Sequence, residues 1–195
     1  MRIRKGWSGS GVALRMSLAR LRQLSEVQQR RAACLLGALV ADTAVTPLHW
    51  IYDQEKVAGL VAGGTAEFSP TSHCPYYTVP AGEPSAYGIQ LQVTTEGLVQ
   101  DNGFDRAKQA DRIYQTFGPG TSYETTRRQT GSPKQGCWTN HNIKMFVAKR
   151  EEGETDQADA GSKDPDGLVK VIAVVAMYHG SKRWKGWWRN VSGSL

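Results

Sequence analysis

The chain has 195 residues, 39% of them hydrophobic, and a formal net charge of +6 at pH 7. This length suffices for one domain with a core, and the low hydrophobic fraction indicates that part of the chain packs poorly. The positive charge lies at the two ends. Residues 1–31 hold eight Lys or Arg and one acid, and residues 182–195 hold four basic residues and no acid, so the middle is acidic. We therefore expect no nucleic-acid binding by the core.

The cysteines and the N-terminal composition bear on the compartment. Cys34, Cys74 and Cys137 are odd in number, far apart and without C-x-x-C spacing, which argues against a disulfide framework or a zinc site and favours the cytoplasm. Residues 1–25 hold several arginines and serines and no acid, which suits either a mitochondrial transit peptide or an upstream extension before Met16. No apolar run reaches the ~18–20 residues of a membrane span, so we expect no transmembrane segment.

Helical spacing of apolar residues and the positions of capping residues predict six helices and no strand. Ser25 and Asp166 are suited to cap the first and the last helix. The first helix is apolar nearly all round from Ala32 onward, which predicts that it is buried. Residues 62–86 and 118–139 are rich in glycine, proline and polar residues and are predicted to be loops. The predicted class is all-α, with helices over residues 26–46, 53–60, 86–100, 104–117, 140–150 and 167–179.

A segment broken by proline follows the first helix and concentrates polar and aromatic residues. Asp42 is a single acid in an apolar helix, and His49, Trp50 and Asp53 come soon after Pro47. Such a set can line a pocket, with an aromatic wall for a base or a ribose and polar groups to orient it. The alternative is structural: a corner between helices with Trp50 and Ile51 in the core and His49 hydrogen-bonded to the backbone, and with Asp42 as a buried acid that caps a neighbouring helix.

Five segments, taken in order, resemble the ADP-ribosylglycohydrolase family in its J1-crystallin and selenoprotein J branch. The resemblance implies a compact orthogonal bundle of helices. Active members bind two magnesium ions through clustered carboxylates and cleave the bond between ADP-ribose and a protein side chain or another acceptor. The segments are residues 37–42 (GALVAD), 47–53 (PLHWIYD), 85–88 (SAYG), 117–123 (FGPGTSY) and 166–178 (DGLVKVIAVVAMY).

The resemblance also divides the chain. It predicts a basic extension over residues 1–25, the N-terminal part of the family domain over residues 26–180, and an unrelated basic tail over residues 181–195. The tail holds three of the six tryptophans. It suits a truncated or alternatively spliced product, a basic-aromatic segment at a membrane surface, or a stacking platform for single-stranded nucleic acid.

The sequence departs from the family pattern at the magnesium ligands. The family branch carries an acid directly after the pair that is Tyr87-Gly88 here, but Ile89 stands in that position. The family's downstream acids lie beyond the point near Gly180 where the resemblance stops. Isoleucine cannot ligate magnesium, so the resemblance implies that this chain does not bind Mg²⁺ and is impaired as a hydrolase.

The resemblance implies ADP-ribose or an ADP-ribosylated substrate as the ligand of a surviving pocket. Asp42 would then be a structural acid, Trp50 and Tyr87 stacking walls, and Asp53 an acceptor for a hydroxyl group, with His49 completing the set. Two alternatives stay open: a crystallin-like structural protein without catalysis, and a non-functional truncated product whose apolar last helix lacks packing partners.

Overall fold

A computed structural model describes residues 18–64, 66–154 and 165–180, which form eight α-helices and very little strand. Two-residue strands β1 (Tyr77–Thr78) and β2 (Lys134–Gln135) pair in parallel. The predicted all-α class is confirmed. The helices are α1 (Leu18–Arg22), α2 (Glu26–Val45), α3 (Gln54–Val61), α4 (Ala86–Gln100), α5 (Arg106–Phe117), α6 (Ser122–Arg128), α7 (His141–Glu151) and α8 (Leu168–Tyr178).

Short polar side chains begin most of these helices, because they accept the backbone N–H groups that lack a partner in the first turn. Ser25 forms a capping box with Gln28 at the start of α2, and Asn140 accepts the N–H of Ile143 at the start of α7. The prediction that Asp166 caps the last helix is wrong. It lies in a 3₁₀ turn (Pro165–Gly167), and α8 begins after this turn without a side-chain cap.

Helix α4 lies between two apolar clusters. On one side, Leu91 and Leu98 pack with α8, and α2 packs against the same cluster. Arg31 of α2 donates a hydrogen bond of 2.5 Å to the carbonyl oxygen of His179 at the end of α8. Helix α8 therefore packs on α4 and α2, so the expectation that it lacks partners is wrong, although its residues Leu168 and Val175 are exposed. The other cluster joins α4 to α5, α6 and α7 through Ala86, Ile113, Phe117, Tyr123, Ile143 and Val147.

Helix α2 is covered on one side only. Its residues Leu35 and Leu39 pack against the α4–α8 cluster, whereas Val40 is 55% exposed on the opposite side, so the prediction of all-round burial is wrong. Within the described part of the chain, its main contacts are with α1, α4, α8 and the 3₁₀ turn Thr46–Leu48 that follows it. By length and composition alone, the segment Glu26–Leu48 could also cross a membrane. Core helices of soluble proteins meet the same two criteria. The absence of a transmembrane segment therefore stays a prediction.

The two predicted loops meet at the paired strands. Gly136 N–H donates to the carbonyl oxygen of Thr78 at 2.8 Å, and His73 N–H donates to that of Pro47 at 2.7 Å. These bonds hold the first loop against the second loop and against the turn that follows α2. The second loop was predicted to lack regular structure, which is wrong for α6, a short polar helix whose start is capped by Thr121.

The three cysteines form no disulfide in the described residues. Cys34 is exposed on α2, and Cys74 is buried. A cytoplasmic location, with mitochondrial import as the alternative, stays a prediction. Most of the predicted extension and the whole predicted tail lie outside the described residues.

Candidate ligand-binding site

Asp42 holds the N-terminal end of α4. Its carboxylate accepts the N–H of Ser85 at 2.8 Å and the hydroxyl of Ser85 at 2.5 Å. A Cβ atom at Gly88 would lie 2.3 Å from Asp42 Oδ2, so only glycine leaves room for this contact. A helix N-terminus carries partial positive charge and favours a carboxylate. The structural alternative for Asp42 is thus confirmed, and contact with a ligand stays a prediction.

Partly buried His49 and buried Tyr77 form a hydrogen-bonded pair near Asp42. His49 Nδ1 and Tyr77 Oη share a hydrogen bond of 3.0 Å. Burial lowers the pKa of His49, and the negative charge of Asp42 opposes this only in part. Burial likewise raises the pKa of Tyr77, which is 3% exposed. The pair is therefore uncharged at neutral pH.

Four aromatic rings meet where the two loops join, and we call Trp50, Tyr76, Tyr77 and Trp138 the aromatic cluster. The Trp50 ring lies edge-on to the rings of the other three, with centroid distances of 5.5, 5.7 and 5.8 Å. Trp50 has φ of +58°, in the left-handed region that costs a residue with a side chain about 1–3 kcal/mol. The surrounding contacts hold this conformation, which directs the indole ring into the cluster.

Positive charges border the aromatic cluster. Lys144 Nζ lies 4.1 Å from the centroid of the Trp138 ring, and Lys134 Nζ lies 5.6 Å from it. Burial lowers the pKa of Lys144, and the charges of Lys134 and Arg127 lower it further. The site thus combines flat rings with cationic groups, a combination suited to an aromatic ligand that carries negative charge.

The structure brings most of the predicted site residues together around Tyr77. His49 and Trp50 contact Tyr77, and Asp42 and Tyr87 lie near enough to influence the pKa of its hydroxyl group. Asp53 is different. Its exposed side chain accepts the N–H of Lys56 at 3.0 Å and caps α3. Whether these five residues bind a ligand stays a prediction.

The sequence analysis missed the site residues that come from the two predicted loops and from α7. These are Tyr76, Tyr77, Trp138 and the neighbouring Lys134 and Lys144. The sequence signal was the aromatic pair at 76–77 and the lone tryptophan at 138, each in a predicted loop. The β1–β2 pairing joins the two loops, and α7 packs on the core beside them.

The described residues do not fit a magnesium site. Ile89, in place of the family's acid, is partly buried and packs against the cluster that joins α4 to α5, α6 and α7. Over residues 18–64, 66–154 and 165–180, no three His, Cys, Asp or Glu side chains lie close enough together to hold a metal ion. Asp42, which contacts the N-terminal end of α4, accepts two hydrogen bonds from Ser85.

Comparisons with known proteins agree with this fold and with the motifs. The sequence profile of the ADP-ribosylglycohydrolase family matches residues 23–189. The chain belongs to the ADP-ribosylglycohydrolase family. It is 35% identical over 161 residues to crystallin J1A and to crystallin J1B of Tripedalia cystophora, covering 80% of this chain. It spans about half the length of these relatives, 48% in each case. No solved structure matches it.

We expect the free energy of unfolding to depend on pH, because His49 is partly buried. Because the pKa of His49 is lowered in the folded protein, protons bind preferentially to the unfolded chain below its ordinary value of 6.5. The free energy of unfolding should therefore decrease as the pH falls through 6.5, and His49→Gln should make this decrease smaller. Urea unfolding of both proteins between pH 7.5 and 5.5 measures the difference. An unchanged pH dependence in the variant would contradict the burial of this imidazole.

Proposed function

We propose that the protein binds ADP-ribose or an ADP-ribosylated protein at the aromatic cluster and does not hydrolyse it. The observation that carries the proposal is the convergence of Trp50, Tyr76 and Trp138 beside His49 in a member of the ADP-ribosylglycohydrolase family. Family membership supplies the class of ligand. The rings supply apolar, flat surface for a base or a ribose.

The absence of hydrolysis is proposed from the residues that replace or occupy the family's acid positions. Magnesium needs hard oxygen ligands, and the position after Tyr87-Gly88 offers the apolar Ile89 instead. The carboxylate of Asp42 accepts two hydrogen bonds from Ser85, the residue that caps the N-terminal end of α4. The aromatic cluster is therefore proposed to keep recognition without the metal-dependent step.

The test is binding and turnover measured side by side. We expect ADP-ribose to raise the midpoint of thermal unfolding, followed by circular dichroism, and to bind with the same affinity with or without Mg²⁺, because ligands that bind only the folded state stabilise it. We expect no release of ADP-ribose from a mono-ADP-ribosylated protein in the presence of Mg²⁺. Robust magnesium-dependent release would overturn the non-hydrolytic part of the proposal.

A pair of variants locates the binding. Trp50→Gly removes the central ring of the cluster, and glycine tolerates the positive φ at that position. We expect this variant to fold and to lose at least about tenfold in affinity for ADP-ribose, the equivalent of ~1.4 kcal/mol. Tyr52→Ala is the control, because Tyr52 is 81% exposed. Equal affinities in the two variants would place any binding outside the cluster.

A structural role is the second candidate, favoured by the 35% identity to two proteins named as crystallins. It predicts a cooperative thermal transition that ADP-ribose does not move, in a protein that stays soluble at high concentration. The unfolding experiment above separates the two candidates, because only the binding proposal predicts a ligand-dependent midpoint.

A further inference from the structure

Three cationic side chains lie together beside the aromatic cluster, and we call Arg127, Lys134 and Lys144 the cation group. Both lysine ammonium groups lie within 6 Å of the centroid of the Trp138 ring, at 4.1 and 5.6 Å. The Lys134 ammonium also donates a hydrogen bond of 2.9 Å to the carbonyl oxygen of Arg127, which fixes its position. The three charges are close enough that Lys134 and Arg127 both act on Lys144.

No salt bridge neutralises the cation group within residues 18–64, 66–154 and 165–180. Glu124, the acid nearest to Arg127 on α6, forms a 2.7 Å salt bridge with Arg128 and accepts the N–H of Gly120 at 2.8 Å. The charges of Lys134 and Arg127 repel that of Lys144, which is in addition partly removed from water, and Glu124 of α6 interacts with Arg127 without a salt bridge to it. A ligand with two or more negative charges would relieve this repulsion.

The neighbouring rings add a second requirement on the ligand. Tyr76 presents a ring that is 39% exposed, next to Trp138 at a centroid distance of 6.3 Å. We infer that the cation group and this edge of the aromatic cluster form a binding site for a nucleoside di- or triphosphate. The phosphate chain binds to the three cations, and the base packs against the exposed rings. The inference goes beyond the proposed function, because it requires a base and a phosphate chain but no second ribose.

The experiment compares ligands of increasing charge. Calorimetric titration of the full chain with AMP, ADP and ATP should give affinities that rise with each phosphate and fall with added salt. The double variant Lys134→Gln/Lys144→Gln should bind ADP at least about tenfold more weakly, because two charge-assisted contacts are lost. Lys108→Gln is the control with a matched residue type. Its ammonium group pairs with Asp101 just after the C-terminal end of α4, whereas the site lies near the N-terminal end.

Each outcome decides between the inference and its rivals. Equal ADP affinity in the double variant and the wild type would overturn the inference, as would tripolyphosphate binding as tightly as ATP, which would mean a charged patch without a base site. Circular dichroism of both variants excludes loss of folding as the cause. ADP binding that depends on the two lysines, without binding of ADP-ribose, would sustain this inference while the proposed function fails. ADP-ribose binding that the double variant leaves unchanged, without lysine-dependent binding of ADP, would sustain the proposed function while this inference fails.

Discussion

Replacing Gly88 by alanine is expected to lower the free energy of unfolding by about 2–4 kcal/mol, because hydrogen bonds to a charged group and a helix cap are lost together. The added Cβ would lie 2.3 Å from Asp42 Oδ2 and 2.9 Å from the Cβ of Pro84. The carboxylate must move away, and its two bonds to Ser85 break. Urea unfolding followed by circular dichroism measures the change.

Gly37→Ala is the control for the Gly88 substitution. Both glycines lie inside helices, but a Cβ at Gly37 would have no neighbour within 4 Å. Alanine there should raise the free energy of unfolding by roughly 0.5–1 kcal/mol, because it restricts the unfolded chain and favours helix. If both variants were stabilised, the close approach of Asp42 to α4 would be refuted.

A double-mutant cycle attributes the effect to the Asp42 contact. Ser85→Ala removes the hydroxyl that donates to Asp42. Because Gly88→Ala already displaces the same carboxylate, the double variant should be less destabilised than the sum of the two single variants. Additive effects would mean that the two positions act through different contacts.

Six of the helices were predicted from sequence, and α4, which has only a modest apolar face, has the predicted bounds of 86–100. Helix α6 was missed because its seven residues are almost all polar and only Tyr123 marks its buried side. The burial of α2 was overestimated for a different reason. An apolar composition permits a helix to be buried on all sides, but it does not determine how many other helices pack on it. That number depends on the tertiary structure.

Half of the candidate site was accessible to sequence analysis. His49 and Trp50 lie close together in the chain, so their proximity in space follows from local structure. Trp138 and Lys144 join them because β1 pairs with β2 and because α7 packs in the same cluster as α4. Two-residue strands carry no alternation that predicts a pairing across this long sequence separation. Asp42 shows the opposite limit. Its position in an apolar helix indicated a partner, and the structure identifies that partner as Ser85.

Replacing Leu98 by alanine is expected to lower the free energy of unfolding by about 3 kcal/mol, within the 2–5 kcal/mol typical of buried Leu→Ala substitutions. Leu98 is 3% exposed and packs with Ala173, Val174 and Tyr178 of α8. Its neighbour Val99 is 69% exposed, so Val99→Ala should change stability by less than about 0.5 kcal/mol. Chemical denaturation of the two variants measures their free energies of unfolding, and both substitutions lie in α4.

The Leu98 comparison also tests whether this chain folds as a unit. Domains are stable by only about 5–15 kcal/mol, so the loss of one leucine at the α4–α8 contact should shift the whole unfolding transition. If helicity at α2, α4 and α8 is lost in one cooperative step that moves with Leu98→Ala, the α4–α8 contact is part of a folded core. If the wild type melts without cooperativity and Leu98→Ala behaves like Val99→Ala, these helices do not pack as described, and the non-functional product becomes the better account of the chain.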